Sequence, residues 1–467
     1  MSIQFDSSAT VLVIGLGRAG LACTEVLRAR GATVYATDEK PPQQLREAIV
    51  AIEAAGAHFV APDDIQMVLP SLSCAVLSPG IPLTNLIVRR VQNADIPVYG
   101  EIEVAYRLCK APIIAVTGTK GKSTTTALIG HVLQNAHAGR TVHVGGNIGN
   151  PLIREVVGVT ADDWVVAEVS SFQLETIRAF RPRVSIILNI TPDHLDRYFS
   201  IEEYAEAKFR IFANQGMHDV FIGNLDDDRL ARLHWKDNDL RVQARQLWFT
   251  LGEHHERATM YAQNGNILYA PIDGDPRPII IMRLDEIPLA GDHNVCNVMA
   301  ALLAALAIGC EPTVLREAVM HFAPPAHRLQ PVASIDGILY VDDSKATNPS
   351  AVEAALQTFE RPIVLIAGGR AKNTAFDTMG AAIDKRAKAL VLIGEAADAI
   401  AEQVHKVPVA RVDSMERAVA EARALASDGD IVLLSPGCAS FDMFESAEDR
   451  GEKFAAAVNA IQEPAGA

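Results

Sequence analysis

Short runs of aliphatic and β-branched residues recur along the chain. Each is closed by glycine or a small polar turn and followed by a stretch with helical spacing. Residues 11–14, 33–37 and 74–77 begin the series, residues 113–117, 164–168 and 184–189 continue it, and residues 363–367, 389–394 and 431–434 end it. Apolar runs of this length, alternating with helical stretches, predict an α/β protein with mostly parallel sheets. The longest weakly polar run, residues 295–310, contains Asn297 and falls short of the ~20 residues that span a bilayer, so no membrane insertion is expected.

A chain of 467 residues has room for about three domains of roughly 150 residues. Proline marks two joints: Pro112 ahead of the fourth apolar run, and Pro324 and Pro325 in the segment APPAHR. The expected division is 1–110, 111–325 and 326–467. No repeat of solenoid period and no low-complexity segment interrupts it.

The turns carry the chemistry. After the run 113–117 comes Gly118-Thr119-Lys120-Gly121-Lys122-Ser123-Thr124, and then a helix pattern. A glycine-rich turn between strand and helix aims backbone N–H groups at one point, and the helix dipole adds positive charge there, so the turn suits a phosphate. Lys122 would reach the outer phosphates and Ser123 a Mg²⁺ ion. The long form of the motif is not met, because Val116 stands where its first glycine belongs. A tight turn with a solvent lysine would use the same residues, but here strand, glycines, Lys-Ser and helix start coincide.

Near the N-terminus, Gly15-Leu-Gly17-Arg-Ala-Gly20 follows a strand, and Asp38 closes the next one. This is the Rossmann pattern. It marks close approach of backbone to a phosphate or sugar, or a structural turn, and alone it would predict NAD. Gly80 ends a further strand and turn, 74–80. Residues 144–149 read as a glycine-rich turn containing Asn147. Glu168 ends an apolar strand, where a carboxylate is a usual Mg²⁺ partner beside a phosphate loop. His194 follows another, in TPDHLDRY, at the strand end where α/β sheets place ligands. Lys208, on an amphipathic stretch 201–212, reads by itself as a surface lysine. Asn294 and Asn297, one turn apart, suit either helix capping or an adenine edge.

Composition narrows the setting. A formal charge of −15 disfavours general binding to nucleic acid or anionic membrane, though not a local cationic pocket. The six cysteines are scattered without a CxxC pair, which fits a reducing cytoplasm rather than a disulfide framework or zinc site. The opening MSIQFDSSAT has neither basic region nor apolar core, so no signal peptide is expected.

Five motifs stand in order: GLGRAG, TGTKGKST, EVSSFQLE, HRLQ with DDSKATN, and SPGCASFDMF. Together they resemble the Mur ligase family of ATP-dependent amide-forming enzymes in peptidoglycan synthesis, nearly end to end. The resemblance implies a Rossmann-like N-terminal domain, a central P-loop ATPase domain and a Rossmann-like C-terminal domain. It further implies addition of D-glutamate to UDP-N-acetylmuramoyl-L-alanine through an acyl phosphate, by a cytoplasmic monomer. Gly17, Asp38, Gly80 and Asn147 would lie at the UDP substrate. Gly118 to Thr124, Asn294, Asn297, Arg328 and Asp343 would hold ATP. Ser123 and Glu168 would serve one Mg²⁺, and His194 with a carbamylated Lys208 a second. Lys345 would be catalytic, and Thr347, Lys372 and Ser440 would face the amino acid. Three positions depart from the family pattern: Lys120 where Asn is usual, Ala371 where Asp is, and Ala447 where an aromatic is. The last two fall in the acceptor region. A sister ligase with another acceptor such as L-glutamate, a nicotinamide oxidoreductase, and a nucleotide-gated binding protein are the alternatives.

Overall fold

The protein is described by a computed structural model covering residues 4–136, 139–194, 197–233, 242–252, 256–272, 277–289, 291–323, 326–371 and 375–461. It divides into two compact units, Met1–Ile287 with Val295–Phe322, and Pro288–Asn294 with Ala323–Ala467.

The first unit holds two sheets. Strands β1 (Thr10–Ile14), β2 (Thr33–Thr37), β3 (His58–Phe59), β4 (Cys74–Leu77) and β5 (Val98–Gly100) form a parallel sheet in the order β3-β2-β1-β4-β5. Connections leave β1 in both directions, so the ends of β1 and β4 flank the crevice where open α/β sheets bind ligands. The turn after β1 is tight: a Cβ on Gly20 would lie 1.8 Å from the Gly15 carbonyl oxygen.

The second sheet has nine strands. It contains β6 (Ile113–Thr117), β7 (Val142–Gly146), β8 (Trp164–Glu168), β9 (Val184–Ile187), β10 (Val220–Asn224), β11 (Arg245–Thr250), β12 (Met260–Gln263), β13 (Asn266–Tyr269) and β14 (Ile279–Arg283). Their order is β14-β13-β12-β11-β10-β9-β6-β8-β7. β6 and β8 are buried at every position, as strands covered on both faces must be. The antiparallel extension β12–β14 has no counterpart in the apolar runs read from the sequence, since its strands are short and half-exposed. Residues 144–146, expected in a turn, instead complete β7. The strand in the apolar run 184–189 ends at Ile187; the Leu188 N–H still bonds to the Thr117 carbonyl of β6, and the Asn189 carbonyl accepts the Thr119 N–H of the loop beyond it.

The second unit is built on β15 (Gln330–Ile335), β16 (Ile338–Asp342), β17 (Ile363–Gly368), β18 (Ala387–Ile393), β19 (Val409–Arg411) and β20 (Ile431–Leu434), in the order β15-β16-β20-β17-β18-β19. All pairs are parallel except β15 with β16. The turns after β16, β17 and β20 open at one end of the sheet. Among the described residues, no helix is long and apolar enough to cross a membrane.

Candidate active site

The loop between β6 and the helix Lys122–Ala136 is held in a strained, open form. Gly118 and Gly121 have φ of +152° and +82°, a region that side-chain-bearing residues rarely adopt. A Cβ on Gly121 would lie 2.3 Å from Asn297 Oδ1, so the helix Asp292–Ala307 packs directly on the loop through Asn297. Asn297 Oδ1 also accepts a hydrogen bond from Thr125 Oγ1 at 3.1 Å.

Asn189 braces the loop from the other side. Its Oδ1 accepts the N–H groups of Thr119 (3.1 Å) and Lys120 (2.8 Å). Thr119 Oγ1 donates to the Thr191 carbonyl at 3.1 Å and accepts the Thr191 N–H at 3.0 Å. Asn189 closes the apolar run 184–189 and Thr191 opens TPDHLDRY, but their bracing of the loop could not be read from those motifs.

Two lysines converge on this loop. Lys122 Nζ donates to the carbonyls of Gly118 (2.9 Å) and Thr119 (2.8 Å), and Lys208 Nζ donates to the same Gly118 oxygen at 2.9 Å. Lys208 is 1% exposed, which overturns its reading as a surface lysine. The helix Ile201–Phe209 turns that face inward, and the Tyr204 ring lies 4.4 Å from the ammonium. Burial, and then the Lys122 charge, push the Lys208 pKa well below its ordinary value, while Asp193 and Glu168 oppose the shift.

Glu168 ends β8 and is 2% exposed. Its Oε1 accepts Asn147 Nδ2 at 2.7 Å, whereas its buried Oε2 has no hydrogen-bond partner. His194, at φ +54°, sets its ring edge-on to Phe172 at 4.8 Å and 3.7 Å from the Asp193 carboxylate.

An orphaned, buried carboxylate oxygen beside a phosphate loop is a fit for Mg²⁺. That ion takes one or two carboxylates and completes its shell with phosphate oxygens and water.

Around the first sheet, a Cβ on Gly17 or Gly80 would meet nothing within 4 Å, so both turns face open space. Asp38 uses Oδ2 to accept the Leu16 N–H at 2.8 Å, shaping the turn after β1. A cavity of about 170 Å³ runs between these turns and Asn147, bordered by Arg18, Pro79, Glu101 and Gln173.

The second unit carries the remaining candidates. Asp343 is buried, accepts Ser435 Oγ at 2.9 Å and the Leu329 N–H at 3.3 Å, and is pushed up to about 7 by burial. Lys345 pairs with Glu448, whose carboxyl that bond draws down to about 2. Thr347 is half-buried on the same turn, Arg328 lies two residues before β15, and Ser440 is buried after β20. Asn294 is buried in the first turn of its helix. Lys372 lies outside the described residues. Arg450, which the motif reading passed over, is fully buried and ties two of these turns together. It donates to Ser344 Oγ (2.9 Å), to the Ser344 carbonyl (2.8 Å) and to the Cys438 carbonyl (3.2 Å).

Comparison with known proteins matches each of these regions to one group. Residues 9–100 match the domain described as Mur ligase MurD-like, N-terminal domain, residues 116–305 the Mur ligase middle domain, and residues 327–438 the Mur ligase glutamate ligase domain. The chain is 43% identical over 447 residues to a UDP-N-acetylmuramoylalanine–D-glutamate ligase of Pelotomaculum thermopropionicum, covering 95% of this chain and 96% of that protein. The chain belongs to the Mur ligase family. A second relative of the same name, from Acidobacterium capsulatum, is 42% identical over 95% of both chains. Among solved structures, the UDP-N-acetylmuramate–alanine ligase of Thermotoga maritima superposes with a TM-score of 0.59 at 19% identity, over 97% of this chain and 100% of that one. This Mur ligase thus shares the three-sheet α/β fold that its motifs implied.

Proposed function

We propose that the chain is an ATP-dependent ligase that joins D-glutamate to UDP-N-acetylmuramoyl-L-alanine in peptidoglycan precursor synthesis. Its relatives carry that name over nearly their whole length. The observation that carries the mechanism is the meeting of Lys122, Lys208 and the unpartnered Glu168 oxygen around one phosphate loop.

The reaction needs the substrate carboxylate to attack the γ-phosphorus of ATP, releasing ADP and forming an acyl phosphate. The amine of the amino acid then attacks that carbonyl, loses a proton, and expels inorganic phosphate. Carboxylate and triphosphate are both anionic, so the first step depends on charge cancellation and alignment. Lys122 supplies one fixed charge at the loop, and Asn189 and Thr191 keep the loop from relaxing. Ser123 and Glu168 are the residues that would hold one Mg²⁺, His194 and Lys208 a second. Bound there, the ions supply electrostatic stabilisation of the phosphoryl group. Asn147, bonded to Glu168, connects that site to the cleft of the first sheet.

In this reading residues 1–110 hold the UDP substrate around Gly17, Asp38 and Gly80. Residues 111–325 hold ATP, with Asn294 and Asn297; Arg328 and Asp343 are the remaining ATP-binding candidates. Residues 326–467 present the amino acid to Lys345, Thr347, Lys372 and Ser440. The enzyme works in the cytoplasm as a monomer. A nicotinamide oxidoreductase would leave the phosphate loop without a task.

The deciding assay measures phosphate release with UDP-N-acetylmuramoyl-L-alanine and ATP across D- and L-amino acids. Release that depends on D-glutamate, with no change in NADH or NADPH absorbance, is expected. No release with any amino acid would overturn the reading in favour of a nucleotide-gated binding protein.

A further inference from the structure

Two buried carboxylates, Glu101 and Glu103, begin the helix Glu101–Leu108, where the first sheet joins the second. They do different work. Glu103 faces away from the cleft and clamps the backbone after the motif SSFQLE. It accepts the N–H groups of Arg178 (2.9 Å), Ala179 (3.0 Å) and Phe180 (2.9 Å).

Glu101 borders the cleft itself. It lines the cavity that contains Asn147, and also a second, smaller one bounded by Ser78, Pro79 and Phe172. Its Oε1 accepts the Ile153 N–H at 2.7 Å. Ile153 belongs to the short helix that follows the Asn147 turn, which closes through the Gly146 N–H to Asn150 carbonyl bond at 2.8 Å. One side chain from the first sheet therefore holds the segment of the second that carries the Asn147 turn.

We infer that Glu101 is a positioning residue for the UDP substrate, setting the Asn147 turn against the cleft of the first sheet. This rests on reading the cleft of the first sheet as the UDP-substrate site. Truncation to alanine would leave the Ile153 N–H buried without an acceptor, which frees the Asn147 turn to shift. The triphosphate loop is braced independently by Asn189 and Thr191, so ATP binding should be spared.

Steady-state kinetics on the full chain, varying UDP-N-acetylmuramoyl-L-alanine and ATP in turn, tests this. Glu101→Ala is expected to raise KM for the UDP substrate about tenfold and to leave KM for ATP within about twofold. Glu101→Gln, which keeps one carbonyl acceptor and the side-chain volume, should fall between Ala and wild type, and it replaces Ala if that variant does not fold. Glu103→Gln is the comparison: it should lower the melting temperature without moving either KM. Unchanged KM for the UDP substrate in both Glu101 variants, or equal rises in both KM values, would overturn the inference. A wild-type enzyme that does not turn over the UDP substrate would instead overturn the functional reading.

Discussion

A lysine held out of water beside a second lysine keeps its proton poorly, and Lys208 is such a lysine. The neutral amine is the form that adds to CO₂, giving an anionic carbamate and releasing one proton, and only an anion would serve as a Mg²⁺ ligand there. Carbamylation of Lys208 is therefore expected to give a carbamate signal in ¹³C NMR after equilibration with ¹³C-bicarbonate, absent in Lys208→Ala. That variant should be nearly inactive, with partial rescue by a short-chain carboxylic acid. Full activity and no lost signal would return Lys208 to a packing role. Lys122 acts differently, since it stays half-exposed on the loop as a fixed charge. Lys122→Ala should lower kcat by about 10²–10³, or about 3–4 kcal/mol, with an unchanged melting curve. Wild-type turnover in the folded variant would remove the loop from the mechanism.

At the scale of elements, the seam between the two sheets of the first unit has its own pH dependence. Burial pushes Glu101 from 4.5 up to about 7, against hydrogen bonds from Ile153, Gln173 and Leu152 that pull it down. The Cys23 thiol, which also faces it, is held protonated by burial. A carboxyl with a raised pKa binds more protons folded than unfolded. Its contribution is complete below 4.5 and is lost as pH rises through about 7. The loss amounts to about 3 kcal/mol. Glu101→Gln cannot titrate, so its stability relative to wild type should rise between pH 4.5 and 8 in urea titrations. A constant difference across that range would show that the carboxylate is ionised throughout. Elements were legible where apolar runs are long: β1, β6 and β8 in the first unit, and β17 and β20 in the second, stand where those runs lie. The strands β12 to β14 were not, because a half-exposed antiparallel edge lacks a continuous apolar signature. The positions of Lys122, Glu168 and His194 at or just after the ends of buried strands were legible because each ends or follows an apolar run. Asn189 and Arg450 were hidden because their roles come from partners 69 and 106 residues away.

For the whole molecule, the question is how the proposed acceptor would be selected by a second unit with alanine at two places, Ala371 and Ala447, where the motif resemblance implies an aspartate and an aromatic. Ala447 stands where an aromatic is usual, and its carbonyl accepts Ser344 Oγ, so its backbone stays tied to the turn that carries Lys345. Ala371 stands where an aspartate is usual, next to Lys372. What is lost is side-chain surface and one carboxylate, whereas the buried Ser440 and the Arg450 bonds that join its strand end to the Ser344 turn remain. Handedness depends on where both carboxylates of the amino acid are pinned relative to the amine, and charge-assisted bonds supply those pins. An aromatic wall adds contact with the side-chain stem, which is worth affinity rather than direction. D-glutamate should thus remain strongly preferred over L-glutamate and D-aspartate in kcat/KM, with a raised KM. Ala447→Phe should lower that KM several-fold without altering the D-to-L ratio. A preference for either competitor would reassign the acceptor while leaving acyl-phosphate chemistry in place. A changed D-to-L ratio in Ala447→Phe would show instead that the missing aromatic helps to set chirality.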